Sequence, residues 1–253
     1  MEDKMNVGKS FLTALTSRVL LLCCVLFPLN HSCPYPCAAI CQKPRNIILM
    51  IGDGMGLTQI TAGMYSSASG SLHLEEFPVT GLIRTHSSNR LVTDSAAGAT
   101  AFACGCKTYN GAIGIFPNKK PCTTILEQAH SEGKATGLIA TSSITHATPA
   151  AFLAHVDDRA EMEDIAAFFL KILPDVVIGG GMKYFSERLD GRNLYREMEA
   201  AHYNIANYQT TTLEGMQADT ARPFAWFAAD REPVSILEHR NYLPYATRTA
   251  LPL

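Results

Sequence analysis

Residues 46–56 read NIILMIGDGMG, and this stretch decides the fold class. The apolar run over residues 46–51 is typical of a short strand buried on both faces, and Gly52 and Gly56 interrupt it at once. The pattern predicts the start of an α/β unit. Asp53 would then lie beyond the carboxyl end of a strand, where ligands bind in open α/β sheets, so it is a candidate metal ligand. The alternative is that Asp53 is a turn residue in a glycine-rich loop.

Strand-like and helix-like segments alternate along the rest of the chain. Helices are predicted over residues 57–69, 95–104, 123–132, 162–172 and 193–201, strands over 135–140 and 176–178, and an extended segment over 80–85. This alternation predicts an α/β fold with a mostly parallel sheet flanked by helices on both faces, in one domain over residues 40–253. The pattern weakens after about residue 213, so we expect a truncated chain whose fold is incomplete at the C-terminus.

The composition is that of a globular protein. Apolar residues make up 47% of the chain and charged residues 17%, which is enough apolar material for one sizeable core. The formal net charge is -2, and Lys and Arg form no run of the kind that nucleic-acid binding requires. We therefore expect no nucleic-acid partner.

The N-terminus resembles a secretory signal. Basic residues precede an apolar stretch over residues 19–29, and small residues follow, with cleavage expected near Ala39. A spanning helix needs about 20 apolar residues, so this stretch is short for an anchor. We assign residues 1–39 to a signal peptide and its flank, and expect export to the periplasm or the extracellular space, with membrane attachment left open.

Residues 92–101 read VTDSAAGATA and place Ser95 at the predicted start of a helix. The free N–H groups and the dipole of a helix N-terminus favour an anion, and small side chains let a phosphate approach the backbone. Ser95 is therefore a candidate nucleophile. No His lies close in sequence to act as its base, so a metal ion is the simpler activator. The alternative is that Asp94 or Ser95 is only an N-cap.

Residues 145–159 read THATPAAFLAHVDDR. His146 and Thr148 are two positions apart, and in an extended segment this spacing directs both side chains the same way, as two ligands of one metal require. Arg159 could bind two phosphoryl oxygens at once. Taken singly, Arg159 is better read as a solvated surface residue, and His155 as a packed core histidine.

These three motifs, together with KTYNGAIG at residues 107–114, resemble the alkaline phosphatase family. The resemblance extends over about residues 46–185 and more faintly to 229. It implies hydrolysis of phosphate monoesters through a phosphoserine intermediate, with two zinc ions and one magnesium ion. It is also compatible with a homodimer of the complete protein.

The resemblance implies a role for each matching residue. Ser95 would be the nucleophile and a metal ligand, Asp53 would lie between a zinc ion and the magnesium ion, and Arg159 would hold the phosphate. Thr148 would ligate the magnesium ion. His146 stands where some members of the family carry Asp and others His, and imidazole suits magnesium less well than oxygen does, so the metal preference at this position stays open.

Family members continue beyond the end of this chain and supply further metal ligands there. After Arg159 the sequence offers only His202 and His239, neither of them in a ligand-like motif. We therefore expect that this chain alone lacks phosphatase activity. The alternative function is a truncated or degenerate, inactive homologue that binds only phosphate or metal. A sulfatase is disfavoured, because Ser95 does not lie in the required C/S-x-P-x-R setting.

Five of the eight cysteines lie in or beside the N-terminal segment, which leaves Cys104, Cys106 and Cys122 for the folded body. In an exported protein they predict one disulfide and one free thiol. Some family members pair cysteines at places matching Cys104 and Cys122, which bracket the loop after the Ser95 helix. The resemblance therefore favours this pair, with Cys106 as the competitor.

Overall fold

The computed structural model describes residues 45–216 and 221–251. The chain divides into two compact units, residues 1–51 and 52–253. In the described part of the first unit, residues 45–51, there is no strand, and Ile47 and Met50 are 78% and 75% exposed. The strand predicted over residues 46–51 is therefore wrong. An apolar run becomes a buried strand only when a neighbouring strand pairs with it, and no described strand does so.

The second unit contains a parallel sheet. Its strands are β1 (Gly137–Ser143), β2 (Val176–Gly180), β3 (Asn204–Asn207) and β4 (Phe224–Phe227). They lie in the order β1-β2-β4-β3, and every neighbouring pair is parallel. The inner strands β2 and β4 are buried at every position, as expected for strands that are covered on both faces. The predicted α/β fold is thus confirmed.

The helices lie before, between and after these strands along the chain. They are α1 (Leu57–Ser66), α2 (Ser95–Cys104), α3 (Ile125–Ser131), α4 (Ala147–Ala150), α5 (Met162–Ile172), α6 (Lys183–Ser186), α7 (Leu194–Ala200) and α8 (Tyr242–Ala250). Buried aromatic rings connect α5 and α6 to the sheet. The ring of Phe185 on α6 lies 5.4 Å from that of Phe169 on α5 and 4.9 Å from that of Phe227 on β4. These edge and tilted geometries are the favoured ones for buried rings.

The extended segment expected over residues 80–85 can also be compared with the described residues. The segment over residues 80–85 pairs with no described strand. Within residues 45–216 and 221–251, no helix is both long and apolar enough to cross a bilayer. The expected signal segment and the boundary at residue 39 lie outside the described residues.

Candidate active site around Ser95

The start of α2 positions Ser95. The side chain of Asp94 is the N-cap, and its Oδ1 accepts a hydrogen bond from the backbone N of Ala97 at 3.0 Å. The buried residues of α2 are small: Ala96, Ala97, Ala99, Thr100 and Ala103. Small side chains allow α2 to pack closely against α4, whose buried residues are also small or compact. This packing brings the first residue of α2 near Thr148 on α4.

Asp53 connects Ser95 to Thr148. It lies in a turn that Gly54 closes with a φ of 68°, a left-handed conformation that glycine adopts readily. Its Oδ1 accepts a hydrogen bond from Ser95 Oγ at 3.0 Å, and its Oδ2 accepts one from Thr148 Oγ1 at 3.0 Å. One carboxylate and two hydroxyl groups therefore meet at one place, although they come from three separate segments.

Arg159 belongs to a second cluster, centred on Asp94. Its Nη1 lies 3.3 Å from Asp94 Oδ2, and its Nη2 lies 3.1 Å from His146 Nε2. A guanidinium group can only donate, so Nε2 of His146 is the acceptor of this hydrogen bond. Arg159 is thus a half-buried, paired residue, and the alternative of a solvated surface arginine is wrong: 28% of its side chain is exposed.

The expected common direction of His146 and Thr148 is also wrong. His146 is the N-cap residue of α4 and Thr148 lies within this short helix, so the segment is not extended. Two positions along a helix differ by about 200° in direction, whereas two positions along a strand point the same way. For this reason Thr148 contacts Asp53 while His146 contacts Arg159.

A family model described as alkaline phosphatase matches residues 44–234. The chain belongs to the alkaline phosphatase family. Alkaline phosphatase 4 of Bacillus subtilis (strain 168) is 44% identical over 214 residues, which are 79% of this chain and 45% of that protein. The chain therefore spans about half the length of the curated relatives it matches.

Solved alkaline phosphatases share the fold. The enzyme from the Antarctic bacterium TAB5 superposes with a TM-score of 0.72 at 38% identity, over 79% of this chain and 58% of that one. A variant of the TAB5 enzyme in which glutamate replaces a histidine, solved with Mg bound in its M3 site, gives a TM-score of 0.72 at 37% identity, over 79% and 57% of the two chains.

Sequence reasoning missed the residues that brace Asp94 in this member of the alkaline phosphatase family. Asn110 Oδ1 accepts from the backbone N of Asp94 at 3.3 Å, and the backbone N of Gly111 donates to Asp94 Oδ2 at 3.0 Å. The backbone N of Arg159 donates to the carbonyl of Gly111 at 2.8 Å. The sequence contained a clue to these residues. Asn110 and Gly111 both lie in the KTYNGAIG motif at residues 107–114, which carries part of the family resemblance.

The donor atoms near Ser95 suit one of the metals of the resemblance better than the other. Asp53, Ser95 and Thr148 offer only oxygen atoms, the ligands that magnesium prefers. A catalytic zinc ion takes about three protein ligands, commonly His, Cys or carboxylates. Within residues 45–216 and 221–251, no group of three or more His, Cys, Asp and Glu side chains could hold a metal ion. The described residues therefore fit part of a magnesium site and do not complete a zinc site.

The remaining sequence interpretations concern His155 and the cysteines. His155 is half-buried: Nε2 lies 2.9 Å from Glu127 Oε1, and the ring meets Phe168 edge to face, so it is the packed residue that was expected. The expected disulfide between Cys104 and Cys122 is not formed in the structure, where Cys104, Cys106 and Cys122 are all free thiols. The sulfur next to Cys122 Sγ is that of Cys106, at 2.7 Å, whereas Cys104 Sγ points to the backbone carbonyl of Cys122 at 3.4 Å.

Proposed function

We propose that this chain supplies the nucleophile and phosphate-binding part of a phosphate monoester hydrolase that acts through a phosphoserine intermediate on Ser95. The observation that carries the proposal is the hydrogen bond from Ser95 Oγ to Asp53 Oδ1, at the first residue of a ten-residue helix. The hydroxyl lies next to the first-turn N–H groups of α2. An ester phosphate attacked by Ser95 would therefore meet backbone donors as its charge develops.

Arg159 is suited to hold that phosphate. Of its five N–H groups, one on Nη1 is directed to Asp94 and one on Nη2 to His146. The second N–H on each of these nitrogens, together with Nε–H, leaves a fork for two phosphoryl oxygens. Asp94 and His146 thus fix the orientation of the guanidinium group before the substrate binds, which lowers the entropic cost of binding.

Asp53 and Thr148 would help to hold a magnesium ion, since both side chains offer oxygen atoms and they lie in hydrogen-bond contact. The Mg-bound variant of the TAB5 enzyme supports a magnesium ion in this family. Nε2 of His146 contacts Arg159, so while that contact lasts a metal ion would be bound through its Nδ1. The two zinc ions of the resemblance would need ligands beyond the described residues, with Asp53 and Ser95 contributing. When bound, such metal ions favour the serine alkoxide and stabilise the charge on the leaving oxygen.

The second candidate function is an inactive homologue that binds phosphate or a metal ion only. The observation that favours it is the lack, within the described residues, of a group of three side chains able to hold a metal ion. Export and a homodimer of the complete protein remain part of the proposal. A signal segment at residues 1–39 and the expectation of no nucleic-acid partner are consistent with both candidates, whereas a phosphate monoester substrate belongs to the first alone.

A chimera distinguishes the two candidates. The part of Bacillus subtilis alkaline phosphatase 4 that follows the matched region is fused after residue 253, and the product is assayed with zinc, magnesium and a chromogenic phosphate monoester at alkaline pH. We expect turnover that Ser95→Ala abolishes, while Ser71→Ala, at an exposed serine outside the cluster, leaves it unchanged. A correctly folded chimera that binds both metals and phosphate but turns over no ester would instead favour the inactive homologue.

A further inference from the structure

Three thiols meet beside the C-terminal end of the Ser95 helix. Cys104 is the last residue of α2, Cys106 follows its left-handed cap at Gly105, and Cys122 lies just before α3. The sulfurs of Cys106 and Cys122 are 2.7 Å apart, and Cys122 is buried. We propose that Cys106 and Cys122 are a disulfide site, oxidised when the chain folds in an oxidising compartment, with Cys104 remaining a free thiol.

The backbone on both sides holds the two sulfurs in place. The N of Cys122 donates to the carbonyl of Gly114 at 2.9 Å, next to an antiparallel bridge between Ile115 and Pro121. Cys106 is fixed by the end of α2, where the N of Gly105 donates to the carbonyl of Ala101 at 3.0 Å. A disulfide bond is about 2.05 Å long, so closing the gap needs a movement of less than about 1 Å.

Cys104 is not equivalent to Cys106, although only Gly105 separates them. Its sulfur donates to the backbone carbonyl of Cys122 at 3.4 Å and so makes a contact that a disulfide would not replace. Pairing Cys104 with Cys122 would require that sulfur to leave the carbonyl and displace Cys106. The geometry therefore selects one of the two alternatives that the sequence leaves open.

The oxidation is a thiol–disulfide exchange with a low-molecular-weight disulfide such as oxidised glutathione. One cysteine, as its thiolate, attacks the glutathione disulfide and releases one glutathione thiolate. The second cysteine then displaces the other glutathione, so that two protons and two electrons leave the protein and one S–S bond forms. Burial raises the pKa of the Cys106 thiol to about 12 and that of Cys104 to about 11, so their thiolates are scarce in the folded protein. Exchange is therefore fastest during folding, before the sulfurs are buried.

The crosslink would close the loop that carries Asn110 and Gly111, which brace Asp94. The closed loop, between positions 106 and 122, is of a length for which restriction of the unfolded chain gives a clear gain in stability. The proposal is independent of phosphatase activity, because it concerns a site at the opposite end of α2 from Ser95. It predicts a protein whose stability responds to reductant.

The test is peptide mapping without reduction. The full 253-residue chain is refolded with reduced and oxidised glutathione, free thiols are blocked, and the chain is digested with trypsin. Cys104 and Cys106 fall on the peptide of residues 91–107, and Cys122 falls on another. We expect these two peptides to be linked, with fragment ions on either side of Gly105 locating the block on Cys104. A block on Cys106, three blocked thiols, or a link from Cys122 to an N-terminal cysteine would overturn the proposal.

Variants give a second measurement. Cys104→Ser is the matched control and should keep both the link and the stability. Cys106→Ser and Cys106→Ala should each lose the link, and the wild-type chain should melt about 5 °C or more higher when oxidised than when reduced, a difference that both Cys106 variants lose. If neither Cys106 variant folds, the same difference measured on the wild-type and Cys104→Ser chains alone decides the question, and its absence would contradict the proposal.

Discussion

Asp94 and Arg159 form an ion pair, with Oδ2 3.3 Å from Nη1, and the same carboxylate caps the helix that begins with Ser95. One side chain therefore sets both the position of the candidate nucleophile and the orientation of the candidate phosphate ligand. Asp94 accepts from Ala97 and Gly111 as well, so its carboxylate receives three donors. A substitution at Asp94 should therefore lower the stability of the folded protein as well as change the geometry of the site.

We predict that Asp94→Asn is destabilising by about 1–3 kcal/mol, the range for leaving partly buried donors without an acceptor. Asn caps helices as well as Asp does, so loss of the cap is not the reason. The Asn Nδ2 would face the N–H of Gly111 or Nη1 of Arg159, both of which are donors. Urea unfolding followed by far-UV circular dichroism measures the change.

The control for this variant is Asp158→Asn. Asp158 is exposed, and its Oδ1 accepts only from the backbone N of Ala160 among the described contacts, a bond that Asn can keep. We expect a change within about 0.5 kcal/mol there. Equal stability for wild type and Asp94→Asn would mean that Asp94 acts only as an N-cap.

Gly114 is predicted to tolerate no side chain. A Cβ at this position would lie 2.0 Å from the carbonyl oxygen of Ala154 and 2.9 Å from His155 Nδ1, and its φ is 59°. Gly133 is a matched control, since its φ is 71° but nothing lies within 4 Å of its Cβ position. Gly133→Ala should cost about 1 kcal/mol for the left-handed backbone alone, and Gly114→Ala about 3 kcal/mol or more. Thermal melts of the two variants should therefore differ clearly, and similar melts would show that the backbone moves away from Ala154 at little cost.

Tyr242 should make the stability depend on alkaline pH. It is 8% exposed, its hydroxyl donates to the carbonyl of Ala140 at 2.7 Å, and burial raises its pKa to about 12 from the usual 10.0. The folded protein therefore keeps a proton that the unfolded chain loses first. This stabilisation is complete below about pH 10, and it is lost as the pH rises toward 12.

Tyr242→Phe removes the titrating hydroxyl group of this side chain. Between pH 9 and 12 the wild type should lose about 2–3 kcal/mol more of its free energy of unfolding than the variant does. Below pH 9 the variant should be less stable by about 1 kcal/mol, the value of the lost hydrogen bond. Urea titrations of both proteins at several pH values provide the comparison, and parallel pH profiles would show that Tyr242 does not titrate in this range.

Local signals explain which elements the sequence predicts well. The bounds of α2 and α5 agree with those expected, because α2 has a capping Asp94 and a left-handed Gly105, and α5 has a clear apolar face toward the core. Strands β3 and β4 were not predicted. Each has only four residues, and each exists because a distant strand pairs with it, which no local pattern records.

At the candidate site, too, some features could be predicted from the sequence and others depend on distant contacts. The family resemblance predicts roles for Ser95, Asp53 and Thr148, which remain predictions. The reasons from local pattern were partly wrong: Asp53 does not follow a described strand, and Thr148 is helical. Their meeting depends on contacts between residues 42 and 95 positions apart. Side-chain partners over such distances depend on packing, as the bond between His146 and Arg159 also shows.

The last prediction is that the 253-residue chain, on its own, has no appreciable phosphatase activity. Asp53, Ser95 and Thr148 bring one carboxylate and two hydroxyls together, and no group of three His, Cys, Asp or Glu side chains joins them within the described residues. In the proposed mechanism, activation of the serine and stabilisation of the leaving oxygen both need metal ions, and one carboxylate with two hydroxyls is too small a ligand set to complete their sites. We expect Arg159 and the start of α2 still to bind inorganic phosphate weakly. The purified chain should therefore bind phosphate in calorimetry, more weakly after Arg159→Ala, and should release no product from a chromogenic ester with zinc and magnesium present. Turnover that Ser95→Ala removes would prove this prediction wrong, because it would mean that the chain completes its metal site unaided.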